Sequence, residues 1–380
     1  MRRINIVPKK RKLIVLTLLM MIAVLLAAVF FVIHSYINKM NILPASSDLN
    51  GKQGIALVQP KDGTSDTDTV SENIKANSEE NTGLPDSSQE QIDAMEEKIR
   101  ANMEKDSTSI AYNKDVLNIL LIGSDTREAG GPGRSDTMLL ISINKKSKKL
   151  VVTSLLRDIY LEIPGKNNNR LNAAYAFGGA DLLLSTIEQN FRIKVERYAS
   201  IDFYAFIDII DAVGGLTLEV TKKDIPVING YIEEINQLTG QEKEKDYLTD
   251  PGTLLLNGKQ TLGFVRNRYV GNSDFDRTAR QREALSQIFE KIKKLNLIKM
   301  KELLDVILPQ VTTNLSEGEL FSLILSAPMY TTYDLQQWSI PEPNTYQSMR
   351  IRGMAVLGID FDKNIAALHK KVYQDNSPLD

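Results

Sequence analysis

The chain has 380 residues, 42% of them hydrophobic and 25% charged, a globular composition with room for one large domain or two ordinary ones plus appendages. Its net charge of −2 hides an asymmetry: Arg2, Arg3, Lys9, Lys10, Arg11 and Lys12 place +6 in the first twelve residues and leave −8 for the rest, which argues against nucleic acid as the main partner. With no cysteine and only His34 and His369, disulfides, thiolate nucleophiles and zinc thiolate sites are excluded, and a Ser-His-Asp triad or multi-histidine metal site nearly so.

After the basic tip (1–12), "LIVLTLLMMIAVLLAAVFFVI" runs from Leu13 to Ile33 without a charge. As a helix it is about 32 Å long, enough to cross a bilayer core. The run continues into "VFFVIHSY" without a small-x-small exit, which favours an uncleaved signal-anchor over a cleavable signal peptide. The positive flank then stays in the cytoplasm and the remainder lies outside. Residues 34–108 are rich in Ser, Asp, Asn, Gly and Thr and poor in aromatics, as a flexible acidic stalk would be. Within them Ile92, Met95, Ile99 and Met103 recur at helical spacing, so a short docking or spacer helix is expected over 90–104.

The folded domain is expected over 109–380. "VLNILLIG" (116–123) reads as a buried strand, and "TMLLISINKKSKKLVVTSLL" as two strands joined by a solvated basic turn, Lys145 to Lys149. "DLLLSTIEQNF" and "FYAFIDIIDAVGG" read as helices, the second stopping at Gly214 and Gly215. "GLTLEV" is a strand. Leu285, Ile288, Phe289 and Ile292 give "RTARQREALSQIFEKIKKL" a helical stripe, with Asp274 or Ser273 as its cap. "SEGELFSLILSAP" opens with capping-box spacing at Ser316 and Glu319. "MRIRGMAVLGID" closes with a strand and "NIAALHKKVY" with a helix. The alternation is that of an α/β domain with both sheet faces covered.

Three clusters at strand ends or helix starts mix arginine with carboxylate. "GSDTREAGGPGRSDTM" holds Asp125, Arg127, Arg134, Ser135, Asp136 and Thr137, and "SLLRD" holds Ser154, Arg157 and Asp158. "NSDFDRTARQ" holds Asp274, Asp276, Arg277, Arg280 and Gln281, just after Arg266 and Arg268. Arginine forks phosphate oxygens bidentately. Carboxylates beside phosphate need a hard divalent cation between them. Together they fit a Mg²⁺–pyrophosphate site near a helix N-terminus. Each also has an ordinary reading. Asp276 and Arg280 are spaced as a surface ion pair. Asp158 is placed to orient an arginine and Arg134 to neutralise Asp136, while "GGPG" lacks the ending of a P-loop. Neither histidine sits in a catalytic cluster.

In their order, "NILLIGSDTR…GRSDTMLLISIN", "VVTSLLRDIYLEIPG", "RLNAAYAFGGADLLLSTIE", "IDFYAFIDIIDAVGGLTLEV" and "LNGKQTLGFVRNRY…SDFDRTARQ" resemble the LytR-CpsA-Psr (LCP) family, with core motifs over 116–295. The resemblance implies a three-layer α/β/α domain with a central mixed sheet. It also implies an enzyme that moves an anionic glycopolymer, such as wall teichoic acid or capsule, from a polyprenyl-pyrophosphate carrier to a peptidoglycan hydroxyl outside the membrane of a Gram-positive-type bacterium. By motif, Asp125 and Asp136 hold Mg²⁺ (or Mn²⁺), and Arg157, Arg266, Arg268, Arg277 and Gln281 line the pyrophosphate. Asp125, Arg157 and Arg277 are the catalytic candidates, with Asp125 placed to assist deprotonation of the acceptor. An apolar tunnel for the lipid tail would lie between sheet and helices, lined in part by "NAAYAFGGADLLLSTI" and "FYAFIDII", most of whose residues are otherwise expected in the core. Asp276 stands where the family has a small residue and Arg170 where it commonly has lysine. A lipid-binding envelope sensor that does no chemistry, and a pyrophosphatase using water as acceptor, share the same site.

Overall fold

The computed structural model describes residues 40–42, 84–105, 110–124, 133–271 and 273–373. The basic tip, the expected membrane helix, most of the stretch read as a stalk, Asp125 and Arg127 lie outside them.

A seven-stranded sheet organises the chain: β1 (Asn41–Ile42), β2 (Val116–Ser124), β3 (Ser135–Asn144), β4 (Lys149–Leu155), β5 (Arg197–Ile201), β6 (Thr312–Thr313) and β7 (Asp334–Ile340), in the order β1-β6-β5-β2-β3-β4-β7. β2, β3 and β4 form an antiparallel meander. β5 and β7 join it in parallel on either side, β6 runs antiparallel to β5, and β1 parallel to β6. The sheet is therefore mixed. The α-helices among the described residues are α1 (Gln89–Glu104), α2 (Ala173–Phe191), α3 (Phe203–Ala212), α4 (Asp224–Leu238), α5 (Gly258–Arg266), α6 (Ser273–Ile292), α7 (Leu297–Ile307), α8 (Glu317–Tyr330) and α9 (Phe361–Tyr373).

Side chains alternate across each strand and sort the helices by face. Leu120, Ile122, Met138 and Leu140 join the main core with residues of α1, α2 and α9. Leu121, Gly123, Thr137 and Leu139 turn the other way, into a cavity roofed by α3, α5, α6 and α7. Both faces are covered, which is why Val116–Gly123 reads as a nearly continuous apolar run, interrupted only by Asn118, instead of an alternating one.

Several sequence expectations are corrected. Of the two expectations for α1, docking holds and spacing does not: Met95 and Ile99 are each 1% exposed and belong to the main core. The packed unit thus begins ahead of residue 109. A capping box at Ser88 and Gln91 starts the helix, and Gly358 makes room for it, since a Cβ there would lie 2.8 Å from the Met95 sulfur. Met95→Ala is expected to cost about 2–4 kcal/mol, read as a lower denaturant midpoint with an unchanged m-value. A true spacer helix would lose nothing measurable. Residues 41–42, read as stalk, form the edge strand β1. "MRIRGMAVLGID" is not one strand but most of a hairpin, Tyr346–Ile351 paired with Met354–Ile359, turning at Arg352 and Gly353, both with positive φ. Lys149 belongs to β4 and is 6% exposed, so the basic turn ends at Lys148. The helix stop at Gly214 and Gly215 is present: both have positive φ, and a Cβ on Gly215 would lie 2.5 Å from the Leu256 carbonyl oxygen.

Candidate functional site

The cavity on the second sheet face has a volume of about 840 Å³ and two different ends. Its polar end gathers Asp136, Arg157, Arg266, Arg268, Arg277 and Gln281. These are all the predicted site residues that fall within the described chain, drawn from three separated motifs. Its apolar part is lined by residues such as Leu139, Phe206, Ile288, Ile292, Ile307 and Val311.

Local structure places each polar group. Asp136 is the second residue of β3, where the pairing with β2 shifts register: Gly123 faces Thr137, and Ser124 faces Ser135. Asp136 is thus the extra residue, the kind of irregularity that re-aims a side chain at the end of a strand. Arg157 follows β4 on a segment pinned by backbone bonds from Asn172 N to its own carbonyl and from Leu357 N to the Asp158 carbonyl. Its Nη1 donates to Asp136 Oδ1 at 2.9 Å. Arg266 ends α5, its guanidinium 4.2 Å from the Phe203 ring centroid and 4.4 Å from that of Tyr231, with Nη1 3.5 Å from Glu234 Oε2. Arg277 and Gln281 lie one turn apart near the start of α6, 4% and 9% exposed.

Behind this wall lies an ion network. Asp274 Oδ1 is 2.5 Å from Arg277 Nη2 and 3.6 Å from Arg157 Nε. Asp158 lies 3.6 Å from Arg157 Nε and 3.4 Å from Arg170 Nη1. Asp158 thus stands between two arginines, and Arg170 is part of the buried scaffold. Burial, aided by Asp158 and Asp136, pushes the Asp274 carboxyl up despite Arg277 and Arg157. Asp136 goes the other way. Burial alone would raise it, but Arg157, Arg277 and Arg266 outweigh that and hold it at about 2 against an ordinary 3.8. It is an anion throughout the physiological range. Arg277 Nη2 is taken up by Asp274, while its Nε is buried without a hydrogen bond, so the guanidinium keeps a donor in reserve on a cavity wall.

Two expectations at α6 change. The helix starts at Ser273, so Asp274 lies inside the first turn and acts as a counter-ion to two arginines instead of a cap. Arg280 does not line the cavity. It donates to the carbonyls of Asn267 and Val270 at 2.8 and 2.9 Å and lies 3.6 Å from Asp224, while Asn267 Nδ2 donates to Asp224 Oδ1 at 2.7 Å. Arg280 therefore fastens the segment bearing Arg268, and these backbone carbonyls take the place of an Asp276 surface pair. Asp276 packs over Gly271, where its carboxylate would clash with any Cβ.

The sequence motifs did not point to Tyr231 and Glu234 beside Arg266, nor to Phe203, expected in the tunnel lining, as a ring against its guanidinium. Tyr231 and Glu234 are three apart on α4 and so share a face, but nothing in the chain links them to Arg266. The tunnel lining also shifts. Of "NAAYAFGGADLLLSTI" only Ala176 lines the cavity, while Ala174, Leu183, Leu184 and Ile187 pack in the core. From "FYAFIDII", Phe203, Phe206 and Ile209 do line it. Leu285, Ile288 and Ile292, the apolar stripe of α6, supply much of the rest.

Among the described residues no three His, Cys, Asp or Glu side chains cluster as metal ligands. Asp136 offers one permanently ionised oxygen donor on the cavity wall. That suits Mg²⁺, which is held by one or two carboxylates and otherwise by water and phosphate oxygens.

A family model described as the LytR_cpsA_psr family matches residues 85–368. The chain is 36% identical over 221 residues to biofilm regulatory protein A of Streptococcus mutans, covering 53% of this chain and 52% of that protein. It is 34% identical over 218 residues to the polyisoprenyl-teichoic acid–peptidoglycan teichoic acid transferase TagU of Enterococcus faecalis, covering 56% and 66%. The chain thus spans about half to two thirds of these relatives. Among solved structures, TagT (YwtF) with bound octaprenyl pyrophosphate lipid superposes with a TM-score of 0.51 at 26% identity, covering 69% of this chain and 93% of that one.

Proposed function

The chain belongs to the LytR_cpsA_psr family, and from that membership and the cavity we propose that it transfers an anionic glycopolymer from a polyprenyl-pyrophosphate carrier to peptidoglycan. The observation that carries the reading is the two-ended cavity: five lining arginines, Arg134 among them, and an apolar remainder fit a pyrophosphate bearing a long hydrocarbon tail. The lipid reported in TagT has that chemistry, and the enzyme name of TagU states the reaction. The reading includes a three-layer α/β/α domain, anchored by residues 13–33 with its N-terminus in the cytoplasm and its site outside.

In the transfer, an acceptor sugar hydroxyl attacks the phosphorus attached to the glycan. The bond from that phosphorus to the bridging oxygen breaks, polyprenyl phosphate leaves, and the hydroxyl proton passes to a base. A phosphodiester joins polymer and acceptor. Such a reaction depends on positioning and charge stabilisation more than on a histidine. In this reading Arg157 and Arg277 fork non-bridging oxygens, Arg266, stiffened by its two aromatic neighbours, adds a third positive charge, and Arg268 lines the same end. Asp125, outside the described residues, is the candidate to assist deprotonation. Mg²⁺ (or Mn²⁺) held by Asp136 and Asp125 would neutralise pyrophosphate oxygens.

The test is reconstituted full chain with a synthetic polyprenyl-pyrophosphate glycan, peptidoglycan oligomers and Mg²⁺, read by mass spectrometry. A phosphodiester-linked product is expected. Carrier cleaved to water alone would make it a pyrophosphatase, and carrier bound but unchanged would make it a sensor. The tail site has its own check. Ile288→Trp is expected to weaken long-tailed donors roughly 100-fold, the loss of a few methylenes at about 0.8 kcal/mol each, and to spare tail-truncated ones. Equal effects on both donors would remove the tail from this cavity.

A further inference from the structure

The turn between α6 and α7 lies at the far end of the cavity from the arginines. α6 carries Arg277 near its start and Ile292 at its end, about 22 Å further along the axis, and Ile288 and Ile292 line the apolar part. The stretch "EKIKKLNLIKMKE" (290–302) holds five lysines against two glutamates, a net +3 in a chain whose residues beyond 12 sum to −8. Lys293, Lys294, Lys299 and Lys301 are exposed, and Ile298 in their midst is 70% exposed. Their pairs with Glu290, Glu302 and Asp305 are surface pairs, which hold a lysine only weakly. An exposed isoleucine ringed by lysines has the chemistry of an interfacial anchor.

Chain length points to what covers it. After α7 the chain passes through Val311, which also lines the cavity, into β6, and β6 pairs with β1 at Asn41–Ile42. Asn41 stands eight residues after Ile33, the end of the expected membrane span, and eight residues reach at most about 28 Å. This edge of the sheet is therefore tied close to the bilayer, whatever the length of the stretch that follows.

We propose that the α6–α7 turn, through Ile298, Lys293, Lys294, Lys299 and Lys301, docks on an anionic lipid surface and sets the apolar end of the cavity against the membrane. A carrier tail then passes from bilayer to cavity without crossing water, while the pyrophosphate end stays raised toward the wall. The proposal rests on the membrane-span and lipid-tail readings above.

Because the chain has no cysteine, Ile298→Cys takes a single environment-sensitive fluorophore, and Tyr269→Cys at the polar mouth takes the same one as reference. The full chain is reconstituted into vesicles of phosphatidylcholine with or without phosphatidylglycerol, each carrying a headgroup-level nitroxide quencher. Quenching is expected at 298 and not at 269, stronger with phosphatidylglycerol, and reduced about fivefold per charge reversed by Lys294→Glu and Lys299→Glu. A label at 298 as water-accessible as that at 269 overturns the docking, as does quenching indifferent to lipid charge and to both reversals. Flotation is read in the same samples: a chain that does not float with vesicles overturns the span and the docking together. Quenching needs no turnover, so failure of the transfer assay leaves this result legible.

Discussion

Arg277→Ala is expected to lower polymer transfer about a thousandfold, the scale of removing one preorganised donor from a phosphoryl-transfer site. Arg277 is 4% exposed and lines the polar end, its Nη2 is held by Asp274, and its Nε is buried without a hydrogen bond. Donors already fixed and desolvated cost little to reorganise when charge builds on phosphate oxygens. The same variant leaves Asp274 buried without its partner at 2.5 Å. Breaking a buried pair costs about 3–5 kcal/mol, so lost activity alone could reflect lost folding. Arg277→Ala combined with Asp274→Asn removes the orphaned charge. It should recover most of the melting temperature and none of the activity. Arg277→Lys keeps the charge without the planar fork and should fall between. Transfer at the wild-type rate by the double variant would remove Arg277 from the site.

Much of this was legible in the chain because the strongest signals are local. The buried strand at 116–123, the capping box at Ser316, the Gly214–Gly215 stop and the arginine motifs each carry their reason within a few residues. What was not legible depends on tertiary placement. The stripe Leu285, Ile288 and Ile292 has the same periodicity whether it faces a packed core or a cavity. Asp274 is as good a cap as a counter-ion until the helix is seen to start one residue earlier. β1 is two residues long and owes its existence to the Thr312–Thr313 edge, so its own sequence reads as linker. The hairpin at 346–359 turns on Arg352 in the left-handed region, which arginine seldom occupies and which gives no pattern to find.

Asp136→Asn is expected to move binding and turnover in opposite directions. Asp136 sits with an arginine at 2.9 Å and is held at about 2, so it presents a full negative charge where the proposed pyrophosphate would lie. Without Mg²⁺ that charge opposes the ligand, and its removal should tighten binding of a soluble polyprenyl-pyrophosphate analogue several-fold. With Mg²⁺ the order should reverse: wild type gains affinity, the variant does not respond, and transfer falls about a hundredfold. The carboxylate also leaves a mark on acid stability. Its folded value lies below the ordinary 3.8, so the stabilisation is complete above about pH 4 and is lost as pH falls through about 2. It amounts to about 2 kcal/mol, and Asp136→Asn should show a correspondingly flatter stability curve over that interval. A variant that binds more tightly, transfers less and titrates less in acid separates an ionised metal-facing carboxylate from a merely structural one. If Mg²⁺ strengthens binding equally in both proteins, Asp136 is not where the cation is held.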